Sequence, residues 1–180
     1  MENKQPTINS QEVKIQYKNE DILVVSRDHA FGSVPIWNGF KAYNDECQTI
    51  LENIAKNFTY CNRPDAENDP SFKQIIPYMV FINKDKLFLM QRGAKGGEKR
   101  LSNKYSLGIG GHLRKEDVVS NDPLQWGIRE FQEEIIYNGT YTVKLLGFVN
   151  DENTPVGQVH LGMCLALIGD SDDIKIGEDE

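Results

Sequence analysis

The chain has 180 residues, of which 39% are hydrophobic and 26% charged, and its formal net charge is −7. This composition predicts a soluble globular domain that can bury a core without disulfides. The acidic balance disfavours nonspecific binding to nucleic acid, although a local basic patch could still exist, and no specific nucleic-acid partner is expected. No apolar run reaches the roughly 20 residues of a membrane helix, and the first residues lack the pattern of a signal peptide. Three widely spaced cysteines outside any metal-ligand pattern predict reduced thiols and a cytoplasmic location.

The first third of the chain is predicted to form a hairpin followed by a helix. Residues 12–17 alternate polar and apolar side chains, residues 19–21 supply a turn, and residues 22–25 are a second apolar strand. A helix fits residues 45–58, because its apolar side chains fall on one face.

A polar segment broken by two prolines, residues 62–70, is the best candidate boundary. We therefore predict an N-terminal extension over residues 1–62, packed onto a main domain over residues 63–180. The two parts are expected to form one structural unit.

The main domain is rich in β-forming residues and contains one helix. Its predicted elements are strands at residues 75–82, 86–91, 107–113, 141–149 and 159–167, and a helix at residues 123–137. Strands interleaved with a helix predict an α/β or α+β sandwich with a mixed sheet.

The helix predicted at residues 123–137 carries three carboxylates at spacings of three and four residues, Glu130, Glu133 and Glu134. This spacing brings their side chains onto one arc, away from the apolar stripe that faces the core. Carboxylates this close repel one another, and a hard divalent cation such as Mg²⁺ or Mn²⁺ would turn that repulsion into a binding site. The alternative is a solvated acidic face in which Arg129 pairs with Glu133.

The run Arg129-Glu130-Phe131-Gln132-Glu133-Glu134 resembles the second half of the Nudix box, Arg-Glu-U-x-Glu-Glu, in which U is apolar. A glycine pair, Gly110 and Gly111, stands upstream of it, as in the family pattern. In the family pattern, five residues separate a glycine from an acidic residue. Counting from Gly110 gives Glu116 and counting from Gly111 gives Asp117, so the upstream acid is ambiguous.

Two features depart from the family pattern. The loop between the upstream acid and Arg129 is longer, and Ile136 replaces the closing glycine of the box. We expect Ile136 to extend the helix toward Asn138 and Gly139.

The likeness to the family covers residues 10–168. Within the superfamily, the sequence is similar to a bacterial branch known as predicted phosphoesterases. It implies a Nudix-like α/β/α sandwich with a mixed sheet over residues 63–180, to which residues 1–62 add the hairpin and helix. It also implies hydrolysis of a diphosphate bond in a nucleoside diphosphate derivative or a related small molecule.

The resemblance assigns the chemistry to the acidic helix. The expected metal ligands for Mg²⁺ or Mn²⁺ are Glu130, Glu133 and Glu134, with the Gly111 carbonyl completing the shell. Glu130, Glu133 and Arg129 are the expected catalytic residues, and Arg129 would orient the cluster by pairing with Glu133 or the upstream acid.

The general base is open. Glu130 is one candidate, and the loop after residues 141–149 supplies two more, Asp151 and Glu152. Ordinary turn chemistry is the alternative explanation for the loop acids.

Substrate contacts are predicted outside the helix. Arg92, Arg100 and Lys104 belong to a basic loop that either grips the diphosphate or is merely solvated. His112 follows the glycine pair and is a candidate for contact with phosphate, whereas His160 lies in an apolar strand and is predicted to be a core histidine.

Two other functions compete with hydrolysis. A catalytically weak or inactive nucleotide-binding module would explain the long loop and Ile136. A different enzyme on the same scaffold, as in isopentenyl diphosphate isomerase, is disfavoured because no cysteine lies near the box. Nudix domains commonly finish with a closing helix, which this sequence does not predict: either the branch is short, or the last element is missing and a homodimer would cover the apolar surface left exposed.

Overall fold

The structure, a computed structural model, describes residues 20–91 and 105–177. Within these residues the strands are β1 (Asp21–Ser26), β2 (Gly39–Ala42), β3 (Phe58–Asn62), β4 (Phe72–Asn83), β5 (Lys86–Leu87), β6 (Met90–Gln91), β7 (Tyr105–Ser106), β8 (Gly108–Ile109), β9 (Ile135–Tyr137), β10 (Tyr141–Asn150), β11 (His160–Gly169) and β12 (Ile174–Ile176). The helices are α1 (Arg27–Phe31), α2 (Asp45–Asn57), α3 (Arg63–Ala66), α4 (Ile128–Glu134) and α5 (Pro155–Val159).

The principal sheet is mixed, with the strand order β2-β10-β11-β4-β1-β3. Strand β11 runs parallel to β4, whereas the other pairs of the sheet are antiparallel. Strands β5 and β8 also pair with β4, and two small sheets join β9 to β12 and β6 to β7. The predicted α+β sandwich with a mixed sheet is confirmed.

Helices pack on both faces of this sheet. Alternate residues of a strand point to opposite faces, and β1 shows the division clearly. Leu23 and Val25 join the main core with α2 and α4, whereas Ile22 and Val24 pack against Ala66 of α3.

The segment before residue 63 contributes three strands, β1, β2 and β3, to the principal sheet. The second strand of the predicted N-terminal hairpin lies within β1, which pairs with β3 and β4. Its first strand, residues 12–17, lies outside the described residues, so the division after residue 62 stays a prediction.

The predicted helix over residues 123–137 is wrong in its length. A 3₁₀ turn at Pro123–Gln125, capped by Asp122, precedes α4, which begins only at Ile128. Between them, Gly127 approaches the Pro77 ring so closely that a Cβ would lie 2.6 Å from the Pro77 Cβ.

The predicted extension of the helix beyond Ile136 is also wrong, because α4 ends at Glu134 and β9 follows at once. The residues of β9 are β-branched or aromatic, which favours a strand, and β9 finds a partner in β12. Ile136 therefore pairs with Lys175 instead of continuing the helix.

Within the described ranges, no helix combines the length and apolar character needed to cross a membrane.

Candidate active site

A cavity of about 810 Å³ lies over β4 and β11, on the strand face that points away from the main core. Its apolar floor includes Ile76 and Tyr78 of β4 and Cys164 of β11. Its polar wall comes from segments far apart in the sequence, and includes Arg63, Gly111, His112, Glu130, Asp151 and His160. A volume of this size suits a small-molecule ligand.

The Glu130 carboxyl lies directly against the backbone of Gly111. A Cβ on Gly111 would stand 2.8 Å from Glu130 Oε2, so this approach requires glycine. Glu130 Oε1 accepts a hydrogen bond of 2.7 Å from the Arg129 guanidinium. Burial raises the pKa of Glu130 despite that contact, so the carboxylate is held in a place where a cation would stabilise its charge.

We predict that Gly111→Ala lowers the site's activity with little loss of stability. The added methyl group meets the end of a flexible side chain, so Glu130 can move away at small cost. Gly110→Ala is the matched control, because its Cβ would stand 1.9 Å from the Pro77 carbonyl oxygen and force the backbone apart. We expect Gly110→Ala to cost about 1–3 kcal/mol in the free energy of unfolding, measured by urea titration. Equal destabilisation by both variants would contradict the placement of Glu130.

Arg129 connects the acidic helix to the loop before it. Its guanidinium donates to both oxygens of Asp117, at 2.6 and 3.0 Å, to Glu130, and to Glu133 at 2.6 Å. The Asp117 carboxylate is fully buried, whereas Glu116 is exposed. Asp117 is therefore the upstream acid, and its hydrogen bonds are the main cause that raises the pKa of Arg129.

The three carboxylates of the helix occupy different surroundings. Glu130 faces the cavity, the Glu133 side chain is 58% exposed, and Glu134 is the half-buried last residue of α4. Neither Glu133 nor Glu134 is among the described residues that line the cavity. These side chains offer oxygen donors only, and Mg²⁺ is commonly held by one or two carboxylates and several waters. The glycine cradle at Gly111 and the adjoining carboxylates fit such an ion.

His112 and His160 meet in the cavity wall, where their Nε2 atoms lie 3.4 Å apart. The predicted core position of His160 is wrong, because the parallel pairing of β11 with β4 sets it opposite Gln74 at the half-buried cavity wall. Burial, together with the nearby charge of Arg63, lowers the pKa of His112 to about 3. His112 is therefore a neutral imidazole at physiological pH.

The two loop acids have different surroundings. Asp151 lines the cavity and accepts hydrogen bonds from the Asn153 backbone and the Thr154 hydroxyl, which lower its pKa. Glu152 accepts a hydrogen bond of 3.0 Å from the fully buried Lys73 and is also paired with Arg27. Two cations thus hold the Glu152 carboxylate, so Asp151 is the better candidate for a base.

The ion pair of Glu152 with Lys73 predicts a stability that depends on pH. Burial opposes ionisation of Glu152, but hydrogen bonds from Arg27, Asn150 and Lys73 outweigh it and lower the pKa below its ordinary 4.5. The stabilisation is therefore present above about pH 4.5 and is lost as the pH falls through the folded-state pKa.

We expect Glu152→Gln to be less stable than the wild type at neutral pH by about 1.5–3 kcal/mol, the range for hydrogen bonds to charged groups. The difference should shrink in acid, as urea unfolding at a series of pH values would show. Glu52→Gln, at a largely exposed position, is the control and should follow the wild type. A difference that stays constant across the acid range would contradict the assignment.

Cations also surround the cavity at positions that the sequence did not indicate. Arg63 and Arg114 both pair with Glu20, at 2.8 and 3.1 Å. The basic residues predicted to grip a diphosphate, Arg92, Arg100 and Lys104, lie outside the described residues.

The mixed sheet and the acidic helix behind a glycine pair define a Nudix-type domain. No family model matches the sequence. The crystal structure of Tm1382, described as a candidate Nudix hydrolase, superposes with a TM-score of 0.66 and 28% sequence identity, covering 87% of this chain and 84% of that one. Protein YmaB of Bacillus subtilis (strain 168) is 37% identical over 155 residues, which are 83% of this chain and 75% of YmaB. The chain belongs to the Nudix hydrolase superfamily.

Proposed function

We propose that this protein is a metal-dependent hydrolase that cleaves a diphosphate bond in a nucleoside diphosphate derivative or a related small molecule. One observation carries the proposal: the Glu130 carboxyl of helix α4 and the Asp151 carboxyl of a distant loop line the same cavity. Two carboxylates on one cavity can divide the tasks of binding a cation and accepting a proton.

Glu130 is the proposed principal ligand of Mg²⁺ or Mn²⁺, with Glu133, Glu134 and the Gly111 carbonyl as further donors. When bound, the ion supplies charge for the phosphate oxygens and lowers the pKa of a water. Arg129 holds Glu130 in place and is itself fixed by the buried Asp117.

Asp151 is the proposed acceptor of the water's proton. Hydrogen bonds from Asn153 and Thr154 fix its carboxylate, and its lowered pKa keeps it ionised at neutral pH. Direct attack by water needs no covalent intermediate, so a nucleophilic side chain is not required.

The cavity favours a ligand with an anionic and an apolar part. His112 remains neutral, and the N–H group of its ring can donate a hydrogen bond to a phosphate oxygen. The floor at Ile76 and Tyr78 offers apolar surface to the rest of the molecule. Arg92, Arg100 and Lys104 are proposed to contribute positive charge for the diphosphate.

Turnover with a substrate panel tests the proposal. The purified protein, given Mg²⁺ or Mn²⁺ and nucleotide sugars, dinucleotides, ADP-ribose or nucleoside triphosphates, should release phosphate or a monophosphate product. Chelation of the metal should abolish the release. Metal-dependent binding of these compounds in calorimetry without product after prolonged incubation would instead support a nucleotide-binding module.

A cytoplasmic location follows as part of the proposal, because Cys47, Cys61 and Cys164 are free thiols in the structure. A homodimer is a further proposal, which light scattering at several protein concentrations would test.

A further inference from the structure

One cluster of possible ligand atoms lies beside the cavity, where His112 and His160 belong to the wall, and none of its side chains comes from helix α4. Among the described residues, Glu67, His112 and His160 offer ligand atoms that all lie within 4.8 Å of one another. We propose that these three side chains form a second cation site, selective for a transition-metal ion of the zinc class over Mg²⁺. This proposal does not depend on the hydrolase activity.

The spacing of the two imidazoles carries the first step. Two nitrogens that each stand about 2.05 Å from a tetrahedral zinc ion are about 3.3 Å apart. The Nε2 atoms of His112 and His160 are 3.4 Å apart, so one ion fits between them without rearrangement of either ring.

The His160 ring presents a lone pair to this position. Its Nδ1 lies 2.7 Å from the Val156 carbonyl oxygen, which can only accept a hydrogen bond, so Nδ1 carries the proton. The Nε2 atom of the neutral ring is then unprotonated and faces His112. An outer hydrogen bond of this kind fixes the tautomer and orientation of metal-binding histidines.

Glu67 supplies the third ligand and the negative charge. Its Oε1 lies 3.8 Å from His112 Nε2, so a side-chain rotation would bring it into the shell. Arg63 contacts Glu67 at 3.5 Å but also binds Glu20 at 2.8 Å, so Arg63 keeps a partner when Glu67 turns.

A buried amide contacts the nitrogen of His112 that would bind the ion. Gln74 is fully buried, and its Oε1 lies 2.8 Å from His112 Nε2. Its amide nitrogen has no hydrogen-bond partner among the described residues. Because Gln74 Oε1 can only accept, His112 Nε2 donates to it in the metal-free protein, and binding of the ion requires that this proton move to Nδ1 of the same ring.

The donor set decides the class of metal. Two imidazoles and one carboxylate are a common zinc combination, whereas Mg²⁺ prefers oxygen ligands and retains its waters. Because His112 and His160 also line the cavity, a fourth coordination position would open toward it.

Zinc titration of the full-length, metal-free protein tests the site. Binding of Zn²⁺ is measured by competition with a chromophoric chelator, in the presence of excess Mg²⁺. We expect one tight equivalent in the wild type. The affinity for Zn²⁺ should fall in each of the variants His112→Gln, His160→Gln and Glu67→Gln. Loss of an outer partner of a metal ligand lowers affinity by roughly 10- to 100-fold, and loss of a ligand itself should lower it by at least as much.

The chain offers matched controls. His29 is the third of its three histidines and, among the described residues, pairs locally with Ser26, so His29→Gln should bind zinc like the wild type. Glu130→Gln should also bind zinc like the wild type, because Glu130 belongs to the carboxylate helix. Zinc binding that is lost in Glu130→Gln or His29→Gln and kept in His160→Gln would overturn the proposal.

Two spectroscopic readouts keep the test decisive if a variant fails to fold. One equivalent of Zn²⁺ should shift the imidazole proton signals of two of the three histidines in the NMR spectrum of the wild type and leave those of the third unchanged. Co²⁺ in the same site should give a visible spectrum without thiolate charge transfer. A thiolate band would place the metal on a cysteine such as Cys164 and refute the site.

Discussion

Replacing Glu130 with Gln should lower the kcat for diphosphate hydrolysis by at least about 10- to 100-fold, the loss that removing even an outer partner of a metal ligand causes. Gln keeps the volume of the side chain and can still accept from Arg129, so the main change is the loss of negative charge. The effect is expected because Glu130 is the one carboxylate of the box helix that lines the cavity among the described residues.

The matched control is Glu116→Gln, which removes an exposed carboxylate from the loop before the same helix. It should retain wild-type turnover, since Asp117 and not Glu116 pairs with Arg129. Steady-state kinetics on the best substrate of the panel, with a thermal unfolding curve for each variant, separates lost chemistry from lost structure. Wild-type kcat in a folded Glu130→Gln protein would refute its role.

Much of the fold could be predicted from local patterns. The 3.6-residue stripe of α2 and the strands predicted at residues 141–149 and 159–167 match the structure within a residue or two at most ends. The tight turn between β4 and β5 was also predictable, and its Lys84 adopts a positive φ of 54°. In these elements the local preference and the burial agree.

The end of the box helix could not be predicted, because its cause is not local. Ile135–Tyr137 leave the helix to pair with β12, some forty residues further along the chain, and the box pattern contains no sign of that partner. This pairing with a distant strand outweighs the tendency of the last turn of α4 to continue as a helix.

The cavity wall shows the same limit. Glu130 and His112 could be found from the motif, but the position of His160 depends on the register of β11 against β4. Arg63 lies in a segment that resembled a boundary. Its only local signal was Pro64, which suits the first turn of a helix and here is the second residue of α3.

The upstream acid leads to the largest expected change in stability. Asp117→Asn should lower the free energy of unfolding by about 3 kcal/mol, at the low end of the range for breaking a buried ion pair. The Asp117 side chain is fully buried and accepts from Arg129 at 2.6 and 3.0 Å and from the Arg114 backbone at 2.6 Å. The low end applies because the Arg129 side chain is 22% exposed and keeps Glu130 and Glu133 as partners.

Glu116→Gln provides the comparison at the neighbouring position, where an exposed side chain should change stability by less than about 0.5 kcal/mol. Urea unfolding of both variants measures the difference, and kinetics on the folded Asp117→Asn protein adds a second readout. If Asp117 positions Arg129 and through it Glu130, kcat should fall while KM stays close to the wild-type value, since Asp117 does not touch the cavity among the described residues. A larger loss of stability in Glu116→Gln than in Asp117→Asn would reverse the assignment and make Glu116 the acid that anchors the helix.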